Sequence, residues 1–193
     1  MKYREEITNE EIKKLPRKEF NGDIFLIDSQ RKLEIALPLL RKHKVLGFDT
    51  ETKPSFKKGK VNTTALLQLA TEDEAFLFRI SHIGFPDQLA EILSSEKIKK
   101  IGVAIHDDLK DLKKINHFEP AGFIDLQKRA GELNIKNIGL KKLTAIILNF
   151  RISKSQRVTN WEREILSPAQ LKYAATDAWV CYKLYKNIKP HLK

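Results

Sequence analysis

The sequence predicts one α/β domain in which a single mixed sheet is covered by helices, and three observations carry that expectation. The chain has 193 residues and 41% hydrophobic content, enough for one core of ordinary size and too little for a second full domain. Short apolar runs with turn-rich spacing come first and helical periodicity runs throughout, the pattern of a sheet with helices packed on it. No linker, repeat or low-complexity tract divides the chain, so residues 1–193 are read as a single domain.

Taken in order, residues 30–43 (QRKLEIALPLLRKH) have the spacing of an amphipathic helix, which Pro38 should kink or restart. Three apolar runs follow, KVLGFDTE, TALLQLAT and EAFLFRI. Each reads as a strand, and the acidic TED between the last two fits a hairpin. Over 86–95 (PDQLAEILSS) an early proline and a three-to-four residue apolar spacing predict a helix. KKIGVAI reads as a further strand and Asp107 to Ile115 as a helix. Three later helices are predicted near 125–133, near 139–148 and over 167–188. Ser167 caps the last and Pro168 is its first residue.

Composition narrows the classes of function. No apolar run approaches the eighteen or so residues of a membrane span. The N-terminus MKYREEITNEEIKK has no apolar signal stretch, so a soluble cytoplasmic protein is expected. Cys181 is the only cysteine, which rules out an intramolecular disulfide and a cysteine-built zinc site. Any metal must therefore be held by oxygen or histidine. Lys and Arg number 36 against 25 Asp and Glu, a net charge of +11 that favours polyanions, nucleic acid first.

Three acidic constellations stand out against this background. In LGFDTET, Asp49 and Glu51 lie at i and i+2 of a strand, on one face. Two carboxylates so placed repel unless a cation lies between them, and oxygen ligands suit Mg²⁺ or Mn²⁺. The bland reading is a strand that ends in solvent. In HDDLKDL, a helical stripe of Ile105, Asp108, Leu112 and Ile115 makes Asp108 the core-facing acid, whereas Asp107 and Asp111 share the polar side with Lys114. A buried aspartate needs a partner or a metal, although either Asp107 or Asp108 would also serve as a helix cap. Tyr173 and Asp177, at i and i+4, share one face of the last predicted helix.

In this order, D-x-E, then D, then Y-x-x-x-D, the chain resembles the DEDD-type 3′-5′ exonucleases. Tyr173 places it in the DEDDy branch with ribonuclease D and the exonuclease domain of the Werner syndrome protein. The likeness extends over GFDTETKP, TALLQLAT, GVAIHDDLKDL, KSQRVTNWE and LKYAATDAWVCYKLY, about residues 20–188. It implies a ribonuclease H-like fold and a metal-dependent exonuclease with two divalent ions, Mg²⁺ or Mn²⁺. The ligands carried over are Asp49, Glu51, Asp108 and Asp177, with Tyr173 orienting the attacking water. Asp108 is chosen over Asp107 because the family's aspartate is followed four residues later by leucine. The implied substrate is the 3′ end of a nucleic acid, DNA ahead of RNA, and the product a nucleoside 5′-monophosphate. Substrate contacts are assigned to Thr52, Phe56, Lys154 and Arg157, the last two as phosphate contacts and Phe56 as a base-stacking ring.

Trp161 is expected to pack, His106 to be structural and Cys181 to lie in the core. With neither the helical accessory domain of ribonuclease D nor the helicase of the Werner protein in the 193 residues, a freestanding domain is expected, with targeting left to a protein partner. The alternative is a silent nucleic-acid-binding protein that keeps the fold. Such a protein is expected to have lost at least one ligand, and none is lost here.

Overall fold

The computed structural model describes residues 3–54 and 62–191. In chain order the elements are α1 (Asn9–Lys14), β1 (Asp23–Ile27), α2 (Gln30–Leu40), β2 (Val45–Thr52), β3 (Thr64–Ala70), β4 (Glu74–Phe78), α3 (Ile80–Ile83), α4 (Asp87–Leu93), β5 (Lys99–Gly102), α5 (His106–Ile115), β6 (Phe123–Asp125), α6 (Leu126–Glu132), α7 (Leu140–Leu143) and α8 (Pro168–Ile188). The strands form one six-stranded mixed sheet in the order β1-β4-β3-β2-β5-β6. The β2-β3 and β3-β4 pairs are antiparallel and the others parallel. Among the described residues no helix is long and apolar enough to cross a membrane.

Strand alternation sends the side chains of β2 to two different cores. Leu46 and Phe48 join Leu67, Leu69, Phe76 and Phe78 beneath α2, α4 and α5. On the other face, Leu66, Ala70 and Leu77 pack against Tyr173, Ala174, Ala175 and Ala178 of α8. Helix α8 lies this close because its contacting residues are small and because β2 has a glycine beneath it. A Cβ on Gly47 would sit 1.8 Å from the Ala178 carbonyl oxygen. Ser167 caps α8 in a capping box with Gln170, and Pro168 stands at its start, as expected.

The predicted elements are present, with three corrections at their boundaries. The KKIGVAI strand stops at Gly102, because Ala104 turns into the left-handed region (φ 59) and its N–H is bound by the Asp125 carboxylate at 3.2 Å. The helix expected over 139–148 ends its α-helical part at Leu143, where the Thr144 hydroxyl donates to the Leu140 carbonyl at 2.6 Å. A π-helical turn, Thr144–Leu148, follows and closes on left-handed Asn149. Helix α2 ends at Leu40, two residues beyond Pro38, which stays inside it.

The segment before β1 is fixed to the rest of the fold by backbone bonds. Arg17 and Arg151 form an isolated bridge, with Arg151 N–H donating to Pro16 at 2.9 Å and Lys18 N–H to Arg151 at 3.0 Å. Phe20 N–H donates to the Thr176 hydroxyl at 3.0 Å, and the Lys172 ammonium to the Phe20 carbonyl at 2.8 Å.

Candidate active site

Strand β2 runs beyond its neighbour. It pairs with β5 only from Val45 to Gly47, while on its other side it continues along β3 to Thr52, with a bulge between Glu51 and Thr52. The Asp49–Thr52 end of β2 therefore has no partner on the β5 side, and α5 begins in that space.

Asp49 and Glu51 share the face of Gly47, towards α8, and Asp177 comes from α8. One oxygen from each of the three carboxylates lies within 4.8 Å of the others. Asp108 stands outside this trio. It is half-buried at the start of α5 and accepts a hydrogen bond from Thr50, which points to the opposite face of β2 from Asp49. Its charge still acts on both Asp49 and Glu51. Asp107 is exposed, so Asp108 is the acid of the pair turned inward.

Clustering in a largely buried site raises the proton affinity of these groups. Burial, then the charges of Asp177 and Asp108, keep Asp49 well above the carboxylate range. Burial and the charges of Asp49, Asp177 and Asp108 push Glu51 up to about 10, with Arg157 pulling the other way. Asp177 is pushed up to about 7 by burial, against a hydrogen bond from Tyr173 and the charge of Lys154. Asp108 is also raised by burial, against the Thr50 bond. A divalent cation would displace those protons. The donor set fits one: three carboxylates, no sulfur or imidazole, and one buried Asp177 oxygen, Oδ1, without a hydrogen-bond partner.

Tyr173 is buried beside Trp161, with ring centroids 6.0 Å apart, and burial followed by Asp177 and Glu51 drives its hydroxyl pKa further up. Its O–H therefore donates to Asp177 and stays protonated. Trp161 is fully buried, a packing residue as expected, and Cys181 lies in the core. His106 is exposed.

The loop around Trp161 is held from outside the predicted motifs. The buried Arg79 guanidinium donates to the Arg163 carbonyl at 2.6 Å and to the Glu164 carbonyl at 3.1 Å. Glu162 pairs with Lys53, just beyond β2, at 2.9 Å. Lys154 and Arg157 are exposed on this loop, within electrostatic reach of Asp177 and Glu51 respectively. Thr52 ends β2 past the bulge, half-buried. Phe56 lies outside the described residues. Sequence reasoning missed Thr50 and Arg79. Thr50 sits between the two motif acids, which was the available signal, but nothing local marked Arg79.

Residues 24–193 match the 3′-5′ exonuclease family. Exonuclease 3′-5′ domain-containing protein 2 of Drosophila melanogaster is 35% identical over 149 residues, 75% of this chain and 25% of the relative. The bifunctional 3′-5′ exonuclease/ATP-dependent helicase WRN of Mus musculus is 33% identical over 150 residues, 75% of this chain and 11% of the relative. The chain thus spans a quarter or less of the length of these two relatives. Among solved structures, the Nibbler exonuclease domain of Aedes aegypti superposes with a TM-score of 0.81 at 24% identity, covering 90% of this chain and 91% of that one. That likeness bears out the ribonuclease H-like α/β fold. A mixed sheet that brings Asp49 and Glu51 up to Asp177, within a segment alike in sequence from residue 24 onward, makes this chain a member of the 3′-5′ exonuclease family.

Proposed function

We propose that the chain removes nucleotides one at a time from the 3′ end of a nucleic acid strand, DNA ahead of RNA, by a two-metal mechanism that releases nucleoside 5′-monophosphates. The observation that carries this reading is the meeting of Asp49, Glu51 and Asp177 oxygens within 4.8 Å. Those three would hold one Mg²⁺ or Mn²⁺, with Asp49 shared by a second ion that Asp108 supports directly or through water. Two such ions would lower the pKa of the attacking water and offset charge on the departing 3′ oxygen.

The chain's own residues do the rest. The Tyr173 hydroxyl, kept protonated by its raised pKa and donating to Asp177, orients the water through its oxygen and leaves proton removal to another group. Lys154 and Arg157 contact backbone phosphates beside the acids. Thr52 and Phe56 complete the set, as the contact at the end of β2 and as the base-stacking ring. The preference for DNA rests on the Werner-type wording of the motifs.

The test is a degradation assay on 5′-labelled single-stranded DNA, recessed duplex DNA and RNA of one sequence, with Mn²⁺, Mg²⁺ or EDTA. Wild type should give a metal-dependent ladder shortening from the 3′ end, fastest on DNA, and Asp49→Ala should give none. Cleavage surviving in EDTA or in Asp49→Ala would overturn the metal reading, and faster loss of RNA would reverse the substrate order.

A further inference from the structure

Lys154, whose charge reaches Asp177, also lines a cleft of about 330 Å³ whose walls carry five cations, Lys13, Arg17, Lys141, Arg151 and Lys154, and no acid among the described residues. It adjoins a second hollow of about 270 Å³ that shares Arg17, Ser153 and Ser155, adds Lys172 and one acid, Glu19, and reaches Tyr173. The two form one mainly basic path leading from Tyr173, the hydrogen-bond partner of Asp177, to α1. Lys13 also touches Glu10 at 2.8 Å and Arg17 touches Glu19 at 3.7 Å. Both pairs are on exposed side chains, where such contacts are weak and exchangeable. The wider groove further along α8 offers no comparable field. Its cations Arg17, Lys18 and Lys183 are matched by Glu19, Glu72 and Asp73.

Two of the five cations precede residue 24, where the family match begins. They reach the cleft because the bridge of Arg17 to Arg151 and the bond of Phe20 to Thr176 fasten the N-terminal segment beside α8. Five cations gathered on one cleft, two of them only loosely paired at the surface with Glu10 and Glu19, repel one another and are relieved by an extended polyanion.

We propose that this N-terminal segment is a substrate-binding arm: Lys13 and Arg17, with Lys141, Arg151 and Lys154, hold backbone phosphates of the strand upstream of its 3′-terminal nucleotide. The inference rests on the exonuclease reading for its direction, since a strand whose 3′ end lies at the acids continues only towards its 5′ side. One phosphate would fill one hollow; a strand is needed to span both.

The experiment is strand binding in EDTA, which needs no cleavage. It uses DNA and RNA strands of about 4 and about 16 nucleotides and free nucleoside 5′-monophosphate, with wild type, the Lys13→Glu/Arg17→Glu double variant, and Lys14→Glu as a neighbouring charge change outside the cleft. Unchanged melting of the double variant verifies its fold. The arm predicts about tenfold or greater loss of affinity for the longer strands in the double variant. It also predicts little change for the shorter ones, and a log-log salt slope shallower by about 0.7 for each phosphate that the variant no longer neutralises. Equal weakening per charge by Lys14→Glu, or equal loss on short and long strands, would overturn it. So would a loss confined to free nucleoside 5′-monophosphate, which would make the cleft a product site. Failure of wild type to bind any strand would instead sink the nucleic-acid reading itself.

Discussion

At Asp177 burial keeps a carboxylate partly protonated near neutral pH, against the opposing pull of the Tyr173 hydrogen bond and the Lys154 charge. Its folded-state pKa of about 7, against an ordinary 3.8, means that the folded chain binds a proton the unfolded chain has released, as does Glu51 at about 10 against 4.5. Stability without metal is therefore highest on the acid side. It falls as pH rises from about 4 through about 7, and further towards 10 as Glu51 ionises. In EDTA, Asp177→Asn should flatten this fall and melt above wild type at about pH 8 but not at about pH 5, by roughly 2–4 °C per kcal/mol recovered. Parallel melting curves for the two proteins across that range would argue against a repelling cluster. The acids were legible because D-x-E on a strand and Y-x-x-x-D on a helix are local spacings with fixed geometry. The Thr50–Asp108 bond was not, because it joins β2 to α5 and depends on where β5 stops. Asp108 accordingly faces inward as its place on the helical stripe required, but off to the side of the converging trio.

Helices and strands were legible to the extent that their periodicity was long. Helix α8, with 21 residues, a capping box and proline at its start, was placed to within a residue. The strand β6, three residues long, and the edge strand β1 had too little pattern to register, and so did α1 and α3. What no pattern revealed was the distance between α8 and β2, which Gly47 sets. A methyl group there would meet the Ala178 carbonyl oxygen at 1.8 Å, next to Asp177 in sequence. Gly47→Ala should push the helix off the strand and separate Asp177 from Asp49. The expected cost is on the order of a hundredfold or more in exonuclease rate, together with loss of any Mn²⁺-induced stabilisation. A variant that melts lower but retains the full metal response would show that the helix position does not set the cluster.

Across the whole molecule, the acids draw on parts of the chain that are far apart in sequence: β2 near the middle of the sheet, α5 on one face and α8 on the other. On the proposed reading, an ion held by Asp49, Glu51 and Asp177 ties β2 to α8 and stabilises the folded state as a unit. With Mn²⁺ at about 100 times its dissociation constant, the stabilisation is about 2.7 kcal/mol, roughly 5–10 °C in melting temperature for a chain of this size. Differential scanning calorimetry should record that rise as one transition in wild type and little or none in Asp49→Ala. A rise of equal size in both would place the ion elsewhere. The Gly47 contact also has a bearing on synthesis. The Asp49 face of the central strands is covered by the last long helix, so a nascent chain emerging at about 5–20 residues per second carries Asp49 and Glu51 for several seconds before Asp177 exists. The acid cluster thus forms only when α8, the last of its contributors in chain order, closes onto β2.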